Sequence, residues 1–269
     1  MPTAGRRAAA PYNIAWEELL PKLYLLGTGA AVSDPHRTTT MLALENDEGI
    51  VLIDCGGDAL QRLAQAGGDP RRVQALIVTH EHADHVSGFP LLMEKIWLYG
   101  RREPLPVYGI ETAIGQARTI HDSFDTSTWP GYPDVSYREV AYEEGAVVLE
   151  EFGWSISATP GRHTVPCVGL RATDQASGRS VGYSCDTSPD PGIARLARDT
   201  ELFVHEASGA IEGHSDAPGA ARVAREGLAR ELLLVHLPPR AQLDEAQLER
   251  AREIFPQLRL GEEACGYEF

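Results

Sequence analysis

The sequence predicts an α/β (α+β) chain folded as an αββα sandwich: two mixed β-sheets face to face, with helices outside. Three observations carry this. Short apolar, β-branched runs alternate with helix-period segments from residue 22 to residue 254. The two halves mirror each other coarsely, each running strands and then a helix. Polar and ionisable residues gather where the strands end. With 269 residues and 43% apolar content, a single unit over 21–269 can bury a sizeable core, behind an N-terminal arm over 1–20.

Residues 22–26 form an apolar strand that ends in Gly27-Thr28-Gly29. A GxG after a strand suggests dinucleotide binding. The run continues Ala30-Ala31-Val32, without the third glycine, so it reads as a tight turn. The loop 33–40 carries His36 and Arg37. Strands 41–44 and 50–53 form a hairpin around Glu45-Asn46-Asp47-Glu48-Gly49. Asp54 ends the second of these. It suits either an N-cap of the helix 59–66 or, better, an acceptor for a ligating histidine. Strand 75–78 follows, then helix 91–99, strand 104–108 and helix 111–121, which ends at His121. Segment 122–136 is rich in Asp, Ser, Thr, Pro and aromatics and lacks periodicity. It is a lid or a surface insertion. Strands at 147–149, 154–158, 168–172 and 181–184 build a second sheet. Helix 192–198, strand 201–204, helix 217–226, strand 231–235 and helix 243–254 complete the chain.

The formal net charge is −15, and lysine occurs only at Lys22 and Lys95. Such a surface repels polyphosphate, which disfavours a large nucleic-acid footprint. There is neither a membrane-length apolar run nor a secretory signal. Cys55, Cys167, Cys185 and Cys265 are scattered, with no CxxC pair. These features point to the cytoplasm and to no disulfide framework.

The stretch Ala75-Leu-Ile-Val-Thr-His-Glu-His-Ala-Asp-His-Val-Ser-Gly88 organises the chain. Three of its nine histidines fall within six positions, at His80, His82 and His85. Imidazole and carboxylate are ligand types a borderline divalent ion prefers. On an irregular turn, His80 and His82 can face one ion, and Asp84 and His85 another.

His80-x-His82-x-Asp84-His85 resembles the signature of the metallo-β-lactamase fold, whose members are mostly dinuclear metal hydrolases. His163, Asp186 and His236 each stand at the end of an apolar strand and complete the set that the resemblance implies. His80, His82 and His163 would hold one ion. Asp84, His85 and His236 would hold the other, and Asp186 would bridge them, with room for a shared water. Cys185 is a rival for Asp186, since some relatives use a thiolate near this place. Zinc suits the set, as do manganese or iron.

The chain is most similar to the ribonuclease Z-like branch. The motifs are Leu26-Gly-Thr-Gly29, Ile53-Asp-Cys-Gly56, Tyr183-Ser-Cys-Asp-Thr187, His205-Glu-Ala207, Gly213-His-Ser215 and His236-Leu-Pro-Pro-Arg240. The resemblance implies catalytic roles for Asp84, for His214 as general acid and for Glu206 as its orienter. It makes His205 structural or supporting, and implies a homodimer. Two departures stand out. The tRNA-gripping arm expected between His163 and Asp186 is absent. Cys185 occupies a position that is usually glycine. Together with the charge, these favour a phosphodiesterase acting on a small or nucleotide phosphodiester. The alternatives are tRNA 3′-processing by a ribonuclease Z, an arylsulfatase, lactonase or thioester hydrolase, and a non-enzymatic metal-binding module.

Overall fold

The computed structural model describes residues 20–269; the arm expected over 1–20 lies outside them apart from Leu20. The first sheet begins with β1 (Lys22–Gly27), β2 (Met41–Asn46) and β3 (Gly49–Ile53), which pair antiparallel. It continues in parallel through β4 (Val73–Val78), β5 (Leu105–Gly109) and β6 (Val135–Glu139). The second sheet runs antiparallel through β7 (Ala146–Glu151), β8 (Trp154–Pro160), β9 (Val168–Asp174) and β10 (Ser180–Tyr183). It then runs parallel through β11 (Leu202–Glu206), β12 (Glu231–Val235) and β13 (Leu258–Leu260). The last strand, β14 (Cys265–Glu268), returns to the first sheet beside β1. Each sheet is therefore half antiparallel and half parallel, as the mirrored halves of the sequence predict.

The strands β3 and β4 are buried nearly throughout, with only Gln74 partly exposed. Burial on both faces explains why they read as continuous apolar runs rather than alternating ones. Each fully buried Leu, Ile or Val there contributes about 1.5–3 kcal/mol. One apolar core joins residues of β1–β5 to residues of β7–β12. Its helical cover is α1 (Ala59–Gln65), α3 (Phe89–Leu98) and α4 (Glu111–His121). A second core lies under α5 (Pro191–Leu196), α6 (Ala217–Glu226) and α7 (Glu245–Ile254), on the other side of the second sheet. Four of these helices start within two residues of the expected positions, and an aspartate caps each: Asp58, Asp190, Asp216 and Asp244 accept a backbone N–H of the first turn, so the cap of α1 is Asp58 and not Asp54.

Three strands were not anticipated: β6, β13 and β14. The turn after β4 also holds a one-turn helix, α2 (Ala83–Val86), where an irregular turn was expected. Segment 122–136 makes a small aromatic cluster on α3. The Trp129 ring lies 5.0 Å from Trp97, Tyr132 stacks on His121 at 6.0 Å, and the Trp97 indole N–H donates to Pro130 O at 3.2 Å. β6 begins at its end.

Candidate metal centre

The strands β8, β10, β11 and β12 run in one direction, so their C-terminal ends open on one edge of the second sheet. These ends deliver His163, Asp186, Glu206 and His236. β4 delivers the turn 80–85 from the first sheet. Two of these ends turn through the left-handed region, at Cys185 (φ 53°) and His236 (φ 50°), as does the end of β3 at Asp54 (φ 61°). Non-glycine residues there cost on the order of 1–3 kcal/mol each and persist only where the surroundings hold them. Cys55 N–H donates to His85 O, and Gly88 N–H to Cys55 O, both at 2.8 Å, which clamps the end of β3 to the ligand turn. Gly56 makes this approach feasible: a Cβ there would stand 1.7 Å from the Asp84 carbonyl oxygen.

The ligand-type atoms converge. His163 Nε2 and His82 Nδ1 are 3.2 Å apart, and with His80 they form one group of atoms within 4.8 Å of each other. Asp84, His85 and His236 form a second such group. In it, Asp84 Oδ2 is 3.6 Å from His85 Nε2 and 3.4 Å from His236 Nε2. Asp186 Oδ2 lies between the groups, 4.0 Å from His80 Nε2, 3.5 Å from His85 Nε2 and 3.3 Å from His236 Nε2. An ion held tetrahedrally at about 2.0–2.1 Å sets its ligand atoms about 3.3–3.4 Å apart, which matches most of these separations. His80 Nε2, His85 Nε2 and Asp186 Oδ1 are buried without a hydrogen-bond partner among the described residues. Buried polar atoms are rarely left so unless something else takes them up. The residues therefore fit a pair of divalent ions.

The rings are oriented from behind. His85 Nδ1 lies 2.8 Å from Asp54 Oδ2, and His163 Nδ1 lies 2.8 Å from the Gly213 carbonyl. Both oxygens can only accept, so each Nδ1 carries the proton and each Nε2 lone pair faces the cluster. Gly213 adopts φ 80°, and a Cβ on it would press within 2.8 Å of His163 Nδ1. Burial, with neighbouring imidazoles, pushes the His80 pKa down to about 2. For His85, burial is outweighed by the Asp186 and Asp54 carboxylates, and its pKa rises. For Asp84, burial is likewise outweighed, here by the His236 hydrogen bond and the His85 charge, and its pKa falls to about 2. A neutral His80 and an ionised Asp84 are the forms that can ligate.

His214 Nδ1 meets Glu206 Oε1 at 3.0 Å, and its ring packs 4.8 Å from His163 and 5.6 Å from His236. Glu206 also accepts from Ser215 N–H at 2.8 Å and from Ser208 N–H at 2.9 Å, which fixes the carboxylate. Burial opposes the charged imidazole of His214, but Glu206 outweighs it and raises the pKa. His205 takes the opposite face of β11. Its neighbours Phe203 and Ala207 belong to the helix-side core, and its Nδ1 donates to Glu206 O at 2.7 Å. It is structural. His121 packs in the aromatic cluster on α3, and His36 sits exposed on its loop. Cys185 stands behind His80, with Sγ 3.5 Å from Nδ1, the nitrogen opposite the one facing the cluster. Sequence reasoning missed Thr79, whose hydroxyl touches Asp54, His80 and Cys185. The only signal was a hydroxyl between the strand and the first histidine.

A sandwich of mixed sheets with histidines and aspartates meeting at one strand edge is the architecture of metallo-β-lactamase-fold hydrolases. The family model for the β-lactamase superfamily domain matches residues 50–237, and the chain belongs to that superfamily of metal-dependent hydrolases. It is 29% identical to "Ribonuclease Z" of Methanothermobacter thermautotrophicus, over 86% of this chain and 91% of that protein. Its fold matches the metallo-β-lactamase fold protein YhfI of Bacillus subtilis with a TM-score of 0.77 at 22% identity, covering 93% of this chain and all of that one. It also matches a diphosphatase of the PhnP family with a TM-score of 0.70 at 20% identity, over 93% and 98% of the two chains.

Proposed function

We propose that the chain is a dinuclear metal-dependent phosphodiesterase acting on a small or terminal phosphodiester. The observation that carries this is the His214–Glu206 pair, placed against both ligand groups. Three histidines would hold one ion, at His80, His82 and His163. Asp84, His85 and His236 would hold the other, and Asp186 would touch both. Zinc suits this set, with manganese or iron as alternatives. Bound there, the ions would supply Lewis-acid charge for the phosphoryl oxygens and a water activated near neutral pH.

The chain's own residues do the rest. Glu206 keeps the proton on His214 Nδ1. When His214 is protonated, Nε2 also carries one and can donate it to the departing oxygen as the phosphorus–oxygen bond breaks. Asp84 stays ionised. A water oxygen becomes the new bond to phosphorus, and the products are a phosphate monoester and an alcohol. The relatives' names support phosphoryl chemistry, ribonuclease in one case and diphosphatase in another.

The tRNA 3′-processing reading is weaker. Only the tight turn between β9 and β10 separates those strands, where Gly178 N–H closes on Asp174 O at 2.8 Å. No arm projects there to grip a long RNA. Among the described residues no helix is long and apolar enough to cross a membrane, and the cysteines are free thiols. A cytoplasmic location accords with both; the homodimer is proposed from the resemblance alone.

A panel of substrates tests the reading on metal-analysed protein. Turnover of bis-p-nitrophenyl phosphate and of a cyclic nucleotide is expected to exceed turnover of an aryl sulfate, a lactone or a precursor tRNA. Inert phosphodiesters beside an active lactone or sulfate would overturn it.

A further inference from the structure

Thr79 occupies an unusual place. It lies at the end of β4, immediately before His80, and is fully buried. Its backbone N–H donates to Asp54 Oδ1 at 2.9 Å. Its hydroxyl lies 3.0 and 2.9 Å from the two Asp54 oxygens. The same hydroxyl is 3.1 Å from His80 Nδ1 and 3.1 Å from Cys185 Sγ.

Counting protons fixes the direction of each bond. A hydroxyl has one hydrogen to give and two lone pairs to receive with. The Asp54 oxygens can only accept from it, so its hydrogen points at the carboxylate. Toward His80 and Cys185 the oxygen can then only accept. His80 must therefore carry its proton on Nδ1, and the Cys185 thiol donates its own. The hydroxyl is saturated, giving once and receiving twice.

The consequence concerns both halves of the cluster. Asp54 Oδ2 receives the Nδ1 proton of His85 directly, at 2.8 Å. Through Thr79 the same carboxylate sets the tautomer of His80. We infer that Thr79 is a positioning residue, relaying Asp54 to His80 so that one buried carboxylate orients a histidine in each ligand group. His85 Nε2 and His80 Nε2 are both left buried without partners among the described residues, which is where this wiring would aim them. The left-handed backbone at Asp54 and at Cys185 is what brings both side chains onto one hydroxyl.

The inference rests on the dinuclear reading proposed above. Its test uses Thr79→Val, which keeps the side chain's shape and deletes the hydroxyl, and Thr79→Ser, which restores it. Two quantities are read on zinc-loaded protein: stepwise ion affinities by chelator competition, and the ¹⁵N and Nδ1–H resonances of His80. Losing a partner that orients a ligand typically costs 10–100-fold in metal affinity. In Thr79→Val one ion should weaken by about that factor while the other stays within a few-fold, and the His80 Nδ1–H signal should exchange rapidly or vanish. Thr79→Ser should behave as wild type. Unchanged affinities in Thr79→Val with the His80 signal intact would overturn the relay. So would an equal weakening of both ions, since that is the mark of a merely structural hydroxyl. Wild-type protein binding fewer than two ions would count instead against the dinuclear reading, and the His80 resonances would still decide the relay.

Discussion

His214→Ala should cut turnover of a phosphodiester with a poor leaving group by roughly 10²–10⁴-fold, while leaving the metal content unchanged. In the proposed reaction His214 donates to the leaving oxygen and stands outside the two proposed ligand groups, so removing it would take away a proton and no ligand. The size of the loss should depend on the substrate. An alkoxide cannot leave without a proton. A p-nitrophenolate can, so the variant should be much less impaired on bis-p-nitrophenyl phosphate. Equal losses on both substrates would show that His214 does something other than protonate the leaving group.

Glu206→Gln separates the two halves of the pair. Glu206 raises the His214 pKa against the opposing effect of burial. A general acid works in its protonated form, so activity persists below the raised pKa and fades as pH climbs through it. Removing the carboxylate charge should move that alkaline limb to lower pH. A limb that does not move, or that moves upward, would contradict the assignment.

Asp186→Ala should reduce turnover to background and bring the metal content below two ions per chain. Asp186 Oδ2 stands within 4.0 Å of ligand-type nitrogens of both groups, and its pKa is held well below the ordinary carboxylate value by the surrounding histidines, in spite of burial. The mutation removes the one anion shared by the two groups and leaves buried imidazoles facing one another. The loss of affinity should exceed the roughly 10–100-fold expected for a partner one bond further out. Asp186→Ala that keeps both ions would refute the bridging role. The Cys185 thiol is poorly placed to substitute, since it lies behind His80.

Much of this was legible in the sequence because it was local. Asn46 ends β2 and Gly49 begins β3 around a two-residue turn, and the polar Glu45–Gly49 stretch announces it. The strand ends at His80, His163, Asp186 and His236 show an abrupt change from apolar to ligating residues that no packing requirement demands. What could not be read depended on distant partners. β14 has no apolar run of its own; it exists because β1 offers it an edge. β13 is three residues long and is ordered by β12. β6 is polar and partly exposed, and pairs with β5. Thr79 escaped for the same reason. Its hydroxyl gains its role only when Asp54, 25 residues earlier, and Cys185, 106 residues later, meet it.

The central claim is that side chains from four places in the chain gather around two cations. Elemental analysis of purified, dialysed protein tests it most directly. Close to two equivalents of a divalent transition metal per chain are predicted, with zinc leading. Protein that holds no stoichiometric metal, even after unfolding-free reconstitution with zinc, manganese or iron, would contradict it.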